Sequence, residues 1–516
     1  MLLSVLQFGG RAPQIIDPAL LPANRSQQAI NCRFDRGGLT AIQNDLFVAE
    51  QVKSGLLKTI YRYEDGNFLT WLSDVDVCES PNPGDEYGRI YYTENGEFKV
   101  TDKYLYKDGG NEYPMKWYNP CPPAPSGPIA AVDVTVPPSA VTLLNISSNS
   151  CLENNGTYNL VFSGGGGSGG AGTYTVANNV IAAVNLTNGG YYTSNPTVST
   201  QTGDGVITAT GVEDRTLQET RGYVYTFVNG YGAEGPPSYV SNLIDVFDGD
   251  TVNLSGMDAV SPDTATQKYN ITKKRIYRIN QSSTGAVYQF VEEIDLATST
   301  YVDTVLDSGL GETLQTLEWD APPVGLRGII SLPNGSLCGF VENLLCFSVP
   351  YYPHAWPVRY QKTTDYPIVG LGAFGASVAV MTSGTPYLAV GNDPSNIVME
   401  DMDLGFSCMS KRGIVKAGDI VVYPCPEGLA AIGQGVREII TDGVMTRQEW
   451  INLYKPETLD AYYWQGKYIG FYQNNAGISA GFMFDLKSKD LSDLPFYAAA
   501  GFRDPDSGTL FLSLGE

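Results

Sequence analysis

The feature that most constrains this chain is its punctuation: short runs of alternating apolar and polar residues, each closed by Gly, Asp, Asn or Pro. Residues 56–63, 68–72, 89–93, 223–228, 275–279 and 287–294 all have this form. A period of two puts every second side chain on one face of a pleated strand, and the flanking residues supply the turns. Helical signatures are few; the strongest is 20–32, polar on one side and preceded by Asp17-Pro18. Tyr (33) outnumbers Phe (19), while Gly (57) and Pro (31) are abundant, which suits aromatic-faced sheets joined by tight corners. The expected fold class is all-β.

At 516 residues the chain has room for roughly two to four compact units. Residues 1–125 are expected to form part of a propeller platform. The Cys121-Pro122-Pro123-Ala124-Pro125 stretch sustains neither ladder nor helix and opens a small Gly-rich β insert over 126–211. That insert holds almost no charge. Its run 163–172 reads as a flexible loop, followed by a strand at 180–187, a turn at Asn188-Gly189-Gly190 and a strand at 191–200. Residues 212–320 carry strand-like runs at the spacing of a fibronectin-like β-sandwich, closed by Pro322-Pro323. In 321–516, Gly-led strands recur at Gly335, Gly384, Gly428, Gly466 and Gly508, separated by 49, 44, 38 and 42 residues. A period of this size is that of four-stranded propeller blades. Gly66 looks like the same element, so a ring closed by both chain ends would carry about six blades.

Chemistry-bearing patterns are sparse, and no catalytic, cofactor-binding or metal-binding residue is assigned. The single histidine, His354, lies between Pro353 and Pro357 in what reads as a stiff exposed loop. One histidine cannot build a multi-histidine metal cage, and no nucleophile motif accompanies it. Glycines 164–170 lack the Gly-Lys-Ser/Thr ending of a phosphate loop. Asp74 with Asp76, and Asp504 with Asp506, miss the full calcium-loop pattern; Asp504–Gly508 reads as a hairpin turn. Eight scattered cysteines without a C-x-x-C pair read as reduced, mostly buried thiols. The N-terminus has no signal-peptide pattern, and no apolar run is long enough to span a membrane as a helix. A net charge of −23 opposes tight nucleic-acid binding, and the densest basic cluster, Lys273-Lys274-Arg275, reads as a solvated strand end.

Several phrases occur in a telling order: Phe8-Gly9-Gly10-Arg11-Ala12-Pro13, Asp17-Pro18-Ala19-Leu20-Leu21-Pro22, Ala29-Ile30-Asn31-Cys32-Arg33-Phe34 and Gly37-Gly38-Leu39. Tyr87 to Thr93, Tyr231 to Ser238, Pro353 to Pro357, and Gly384 to Pro394 follow. Together they resemble tail nozzle and tail-tube virion proteins of short-tailed, podovirus-type bacteriophages; the Gly-rich insert departs from the simplest nozzle layout and leaves the nozzle itself and a neighbouring ring or fibre-attachment protein both open. The resemblance implies a non-enzymatic structural virion protein: a propeller with inserted β domains, assembled as a homo-oligomeric ring. That ring is expected to be hexameric and to enclose the DNA ejection channel. Its implied neighbours are tail adaptor and tail fibre proteins. Double-stranded DNA would pass without specific binding, and the acidic surface suits that passage. The implied location is the virion tail, after synthesis in the host bacterial cytoplasm. The alternative reading is a carbohydrate-binding or glycan-degrading propeller, a lectin or glycoside hydrolase, which needs clustered carboxylates and exposed rings in a cleft.

Overall fold

A computed structural model describes residues 7–13, 18–42, 45–135, 139–212, 219–246, 248–258, 268–282, 285–402, 405–474 and 476–514. The chain is all-β, built from many small antiparallel sheets, and among the described residues its one α-helical element is the single turn Arg447–Glu449. It divides into two units. The first comprises Met1–Pro122, Thr266–Asn270 and Glu318–Glu516; the second comprises Pro123–Ala265 and Ile271–Leu317.

Besides the short pair Cys32–Arg33 with Thr40–Ala41, the described residues of the first unit form seven sheets that follow one another in chain order, with the second unit entering between the second and third. Sheet A pairs Thr59–Arg62 with Phe68–Trp71, and sheet B holds Asp76–Glu79, Ile90–Glu94 and Glu97–Thr101. Sheets C to F have four strands each and begin at Arg327–Ser331, Ile368–Phe374, Val415–Ala417 and Asp460–Trp464. Sheet G pairs Ala498–Arg503 with Leu510–Leu514. Apolar faces join them in order. Trp71 meets Tyr92 between A and B, and Phe98 meets Trp356 between B and C. Phe340 and Phe347 share a core with Val380 and Tyr387, Met381 with Tyr423, Leu429 with Phe482, and Phe471 with Ala498. The succession closes on itself, because Tyr61 and Phe68 of A pack on Phe502 and Phe511 of G.

The glycine spacing marks six of these sheets (A, C, D, E, F and G) but not B. The first turn of B is a ten-residue loop from Ser80 to Arg89, shaped by Asp85. Its carboxylate accepts the Tyr87 and Arg89 backbone N–H groups and the Arg89 Nε–H, and the positive-φ glycines of this loop, Gly84 and Gly88, flank Asp85 rather than closing a short hairpin. The phase also slips. Gly66, Gly335, Gly466 and Gly508 sit in the first hairpin of their sheets, whereas Gly384 and Gly428 sit at the second; Gly375 and Gly418, both at positive φ, are the equivalents.

Residues 20–32 are not a helix. A 3₁₀ turn, Pro18–Leu20, leads into an extended strap that lies along the edge strand Leu491–Leu494 of sheet F. Its backbone groups bond outward rather than to residues four back: Asn31 N–H donates to Asp493 O at 2.9 Å, and Asp493 N–H donates to Ala29 O at 2.8 Å. The opening Gly-Gly phrase is explained by this contact, since a Cβ on Gly10 would lie 2.3 Å from the Leu491 nitrogen. Arg11, 4% exposed, pairs with Glu449 and Asp493 beneath the strap. An otherwise open sheet edge is thereby covered by the chain itself.

Among the described residues the second unit holds a Gly-rich module, two further three-stranded sheets and a short two-stranded pair. In the module, Leu143–Ser148, Val161–Ser163, Thr197–Ser199 and Val206–Thr210 form one sheet, and Gly156–Asn159, Ser168–Ala177 and Val180–Tyr191 form another. Tyr174, Tyr192, Ile181 and Ile207 pack within its core. Asn188-Gly189-Gly190 is not a turn: it stays inside the strand Val180–Tyr191, whose pairing carries a bulge at this level. Glycine serves close approach here, because a Cβ on Gly189 would meet the Val141 carbonyl oxygen at 2.4 Å. The run 164–170 is not a free loop either: 164–167 make a packed turn and 168–170 open the strand Ser168–Ala177. Gly164, Gly165, Gly166 and Gly169 have positive φ, and Gly165 O accepts the Thr193 and Ser194 N–H groups.

The remaining sheets are Ala130–Thr135 with Thr251–Ser255 and Tyr301–Asp303, Tyr223–Asn229 with Ile271–Ser282 and Gly285–Asp295, and the short pair Glu219–Arg221 with Ile244–Val246. Ala130–Thr135 thus pairs with a strand of the stretch expected to begin at 212, so the Gly-rich module is inserted after the first strand of this sheet pair. Strand pairing is non-local, which is why a composition shift misplaces the boundary.

Candidate functional site

In the first unit, charged side chains gather where the first strands of five sheets converge. Thr59 lies in the first strand of A, Asp74 just before that of B, and Asp76 opens it. Gly328 is in the first strand of C, Lys411 and Arg412 form the turn before that of E, and Asp460 opens that of F. Lys411 Nζ pairs with Asp74 at 2.9 Å and with Asp76 at 2.6 Å. Arg412 pairs with Asp74 at 3.2 Å through Nη1 and with Asp460 at 2.9 Å through Nε. Asp76 also accepts the Gly328 N–H at 2.6 Å, and the Arg412 carbonyl accepts the Ala461 N–H at 2.9 Å. Asp74 and Asp76 are therefore clamp residues held by two cations.

Burial pushes the Asp74 carboxyl up, but Lys411 and Arg412 more than offset it and hold the group below its ordinary 3.8. At Asp460 burial is the largest influence and wins over Arg412, so that carboxyl titrates above 3.8. The stabilisation from Asp74 is fully present above pH 3.8 and disappears as pH falls through its lower folded value. Asp460 has the opposite sign: its contribution is lost as pH rises from 3.8 through its raised folded value. Arg412→Leu leaves both carboxylates facing each other without the shared guanidinium. Because the cluster is partly solvated, the expected loss is about 2 kcal/mol, read as a lowered denaturation midpoint. An unchanged midpoint would show that the clamp contributes nothing to the packing of these sheets.

The second unit carries a deeper charged network. Arg278 and Asp303 are fully buried, and Arg278 Nη1 donates to Asp303 Oδ2 at 2.9 Å. Arg278 Nη2 donates to Asp307 at 2.6 Å, and Tyr223 OH donates to Asp303 at 2.9 Å. Arg221 pairs with Glu219, with Asp248 and with Asp307. Burial raises the Tyr223 hydroxyl's pKa, and the Asp303 carboxylate raises it further. Beside it, Glu234 accepts hydrogen bonds from Thr226 at 2.6 Å, Tyr277 at 2.7 Å and Arg275 at 2.9 Å, which accounts for the acidic residue inside the Tyr231–Ser238 phrase.

Other sequence-selected residues take different places. His354 is not in an exposed loop: it is 8% exposed and packs on Trp319 and Tyr352, with Ala355 and Trp356 buried beside it. The prolines turn the segment inward, and Trp356 Nε1–H donates to Pro353 O at 2.9 Å. Lys273 and Arg275 pair with Asp295 and Glu293, but Lys274 is buried rather than solvated. Its ammonium donates to the Asp258 and Thr298 carbonyls, and burial lowers its pKa to about 8. Asp504 does build a hairpin turn, accepting the Asp506 N–H and the Ser507 hydroxyl, with Gly508 at φ +68°. The eight cysteines are free and seven are buried; burial lifts the Cys346 and Cys408 thiols to about 12, well away from thiolate chemistry. Arg412, Arg221 and Arg278 were not selected from the sequence. Their one signal is an arginine in or beside an otherwise β-prone run.

Among the described residues, no group of three His, Cys, Asp or Glu side chains is placed to hold a metal ion, and no helix is long and apolar enough to cross a membrane. No family model and no curated protein matches the chain. Solved structures with some likeness include Kluyvelomyces marxianus Hsv2, 9% identical over 47% of this chain and 60% of that one, with a TM-score of 0.20. Glutaminyl cyclase from Myxococcus xanthus is 11% identical over 47% and 88%, with a TM-score of 0.19. Apo AztD from Citrobacter koseri is 12% identical over 77% and 92%, with a TM-score of 0.21. This chain spans 60% of the length of the first of these. Scores this low carry no argument about activity.

Proposed function

We propose that this chain is a structural component of a bacteriophage tail, a nozzle subunit whose sheets A to G form a propeller and whose second unit is the inserted β region, its two packed sheets a fibronectin-like sandwich. The reading rests on the ordered sequence phrases that resemble short-tailed phage tail proteins. The closed succession of sheets supports it, because a ring of blades removes long open edges and makes a rigid scaffold. In this role the function is shape: a homo-oligomeric, sixfold ring encloses the ejection channel, and neighbouring adaptor and fibre proteins attach to it. Net charge of −23 lets DNA pass a wall that does not hold it. Negative-stain imaging of the purified full chain, with mass-spectrometric stoichiometry in virions, tests this. Closed rings with a central opening are expected. A dispersed monomer absent from particles refutes the reading, and turnover in a reducing-sugar assay would favour a glycan-active propeller instead.

A further inference from the structure

Residues 45–52, Asp-Leu-Phe-Val-Ala-Glu-Gln-Val, belong to no helix or strand and follow the strap before sheet A with their apolar side chains in solvent. Leu46, Phe47 and Val48 are 88%, 75% and 56% exposed, and Val52 is 56% exposed. Among the described residues, 45–50 enter no backbone–backbone hydrogen bond. Three consecutive exposed large apolar residues whose peptide groups make no backbone hydrogen bond are free to pair as an added strand. Asp45 and Glu50, in a chain of charge −23, weigh against an anionic occupant such as nucleic acid or an acidic membrane.

The same chain offers a receiving edge. Val436–Ile439 is the outer strand of sheet E, paired only with Gly428–Gly433 among the described residues, and its exposed Arg437 and Glu438 alternate, so that one face of this edge presents a cation, which neither Glu400 nor Asp401 does on sheet D. The outer strand of sheet D, Val398–Asp401, is also an edge, but its Glu400 and Asp401 oppose Glu50. Strand addition is already in this segment's repertoire, since the preceding strap lies on the edge of sheet F through the Ile30–Asp493 bridge. Donor and receiver are different patches, so the contact is heterologous and propagates head to tail, as a ring requires.

We infer that residues 45–52 add as an extra strand to the Val436–Ile439 edge of a second copy of this chain, with Glu50 facing Arg437. This deepens the ring reading and rests on it. The test uses the full chain. Wild type, Leu46→Asp/Phe47→Asp, Arg437→Glu and Glu50→Lys/Arg437→Glu are compared by light scattering and mass photometry, with circular dichroism to verify folding. The expected result is a closed oligomer for wild type, at least a tenfold weaker association for the first two variants, and recovery in the charge-swapped variant. Oligomers unaffected by the Asp substitutions overturn the strand addition while leaving the ring reading intact. Weakening by Arg437→Glu without recovery on swapping overturns the assigned edge. A wild type that stays monomeric at every concentration removes the ring and this contact together. Should the Asp variant misfold, the charge-swap pair decides.

Discussion

Replacing Arg278 with leucine is expected to destabilise the second unit by about 3–5 kcal/mol, the usual cost of stranding one partner of a buried ion pair. Arg278 and Asp303 are both fully buried, so water cannot take over when the guanidinium is lost. Asp303 would keep only the Tyr223 hydroxyl and the Val305 N–H, and the Val305 carbonyl would lose its Arg278 donor. Chemical denaturation should show a transition at lower denaturant for this unit. Arg278→Leu combined with Asp303→Leu should recover most of the loss, because removing both charges abolishes the stranded ion. Equal losses in single and double variants would mean that packing, not charge, carries the effect.

Truncation of Trp450 to alanine is the second large effect, about 3–5 kcal/mol for an aromatic side chain with no exposed surface. The indole fills the core between sheets E and F against Tyr454 and Phe482, and its Nε1–H donates to the Cys425 carbonyl at 2.7 Å. A helical turn with a Thr446–Glu449 capping box sets its direction. Trp450→Phe separates the two contributions. It keeps a ring but leaves the Cys425 carbonyl without its donor, an expected loss of about 1–3 kcal/mol. If the phenylalanine variant is as unstable as the alanine one, the ring's volume is not what holds these sheets.

Much of the strand content is legible from local alternation. Residues 68–72 and 223–228 match Phe68–Trp71 and Tyr223–Asn229 within a residue at each end. The glycine period is legible too, because first-hairpin turns need positive φ at Gly66, Gly335, Gly466 and Gly508. Sheet B escapes that period because its first connection is a ten-residue loop around Asp85, in which Gly84 and Gly88 take positive φ without forming a short hairpin. His354 and Lys274 are misplaced by any local rule: prolines look like surface turns and lysines like solvated ends, yet here aromatic rings and backbone carbonyls from distant residues enclose them.

Alternation and turn chemistry are properties of neighbouring residues, so the order of amino acids alone is enough to make this chain a succession of short antiparallel strands. Which edge is covered, which cation meets which carboxylate, and where the Gly-rich module enters its host sheet depend on residues hundreds apart. Arg412 with Asp74 and Asn31 with Asp493 are such pairs. Burial and ion pairing act through space, and only the folded chain brings those partners within reach.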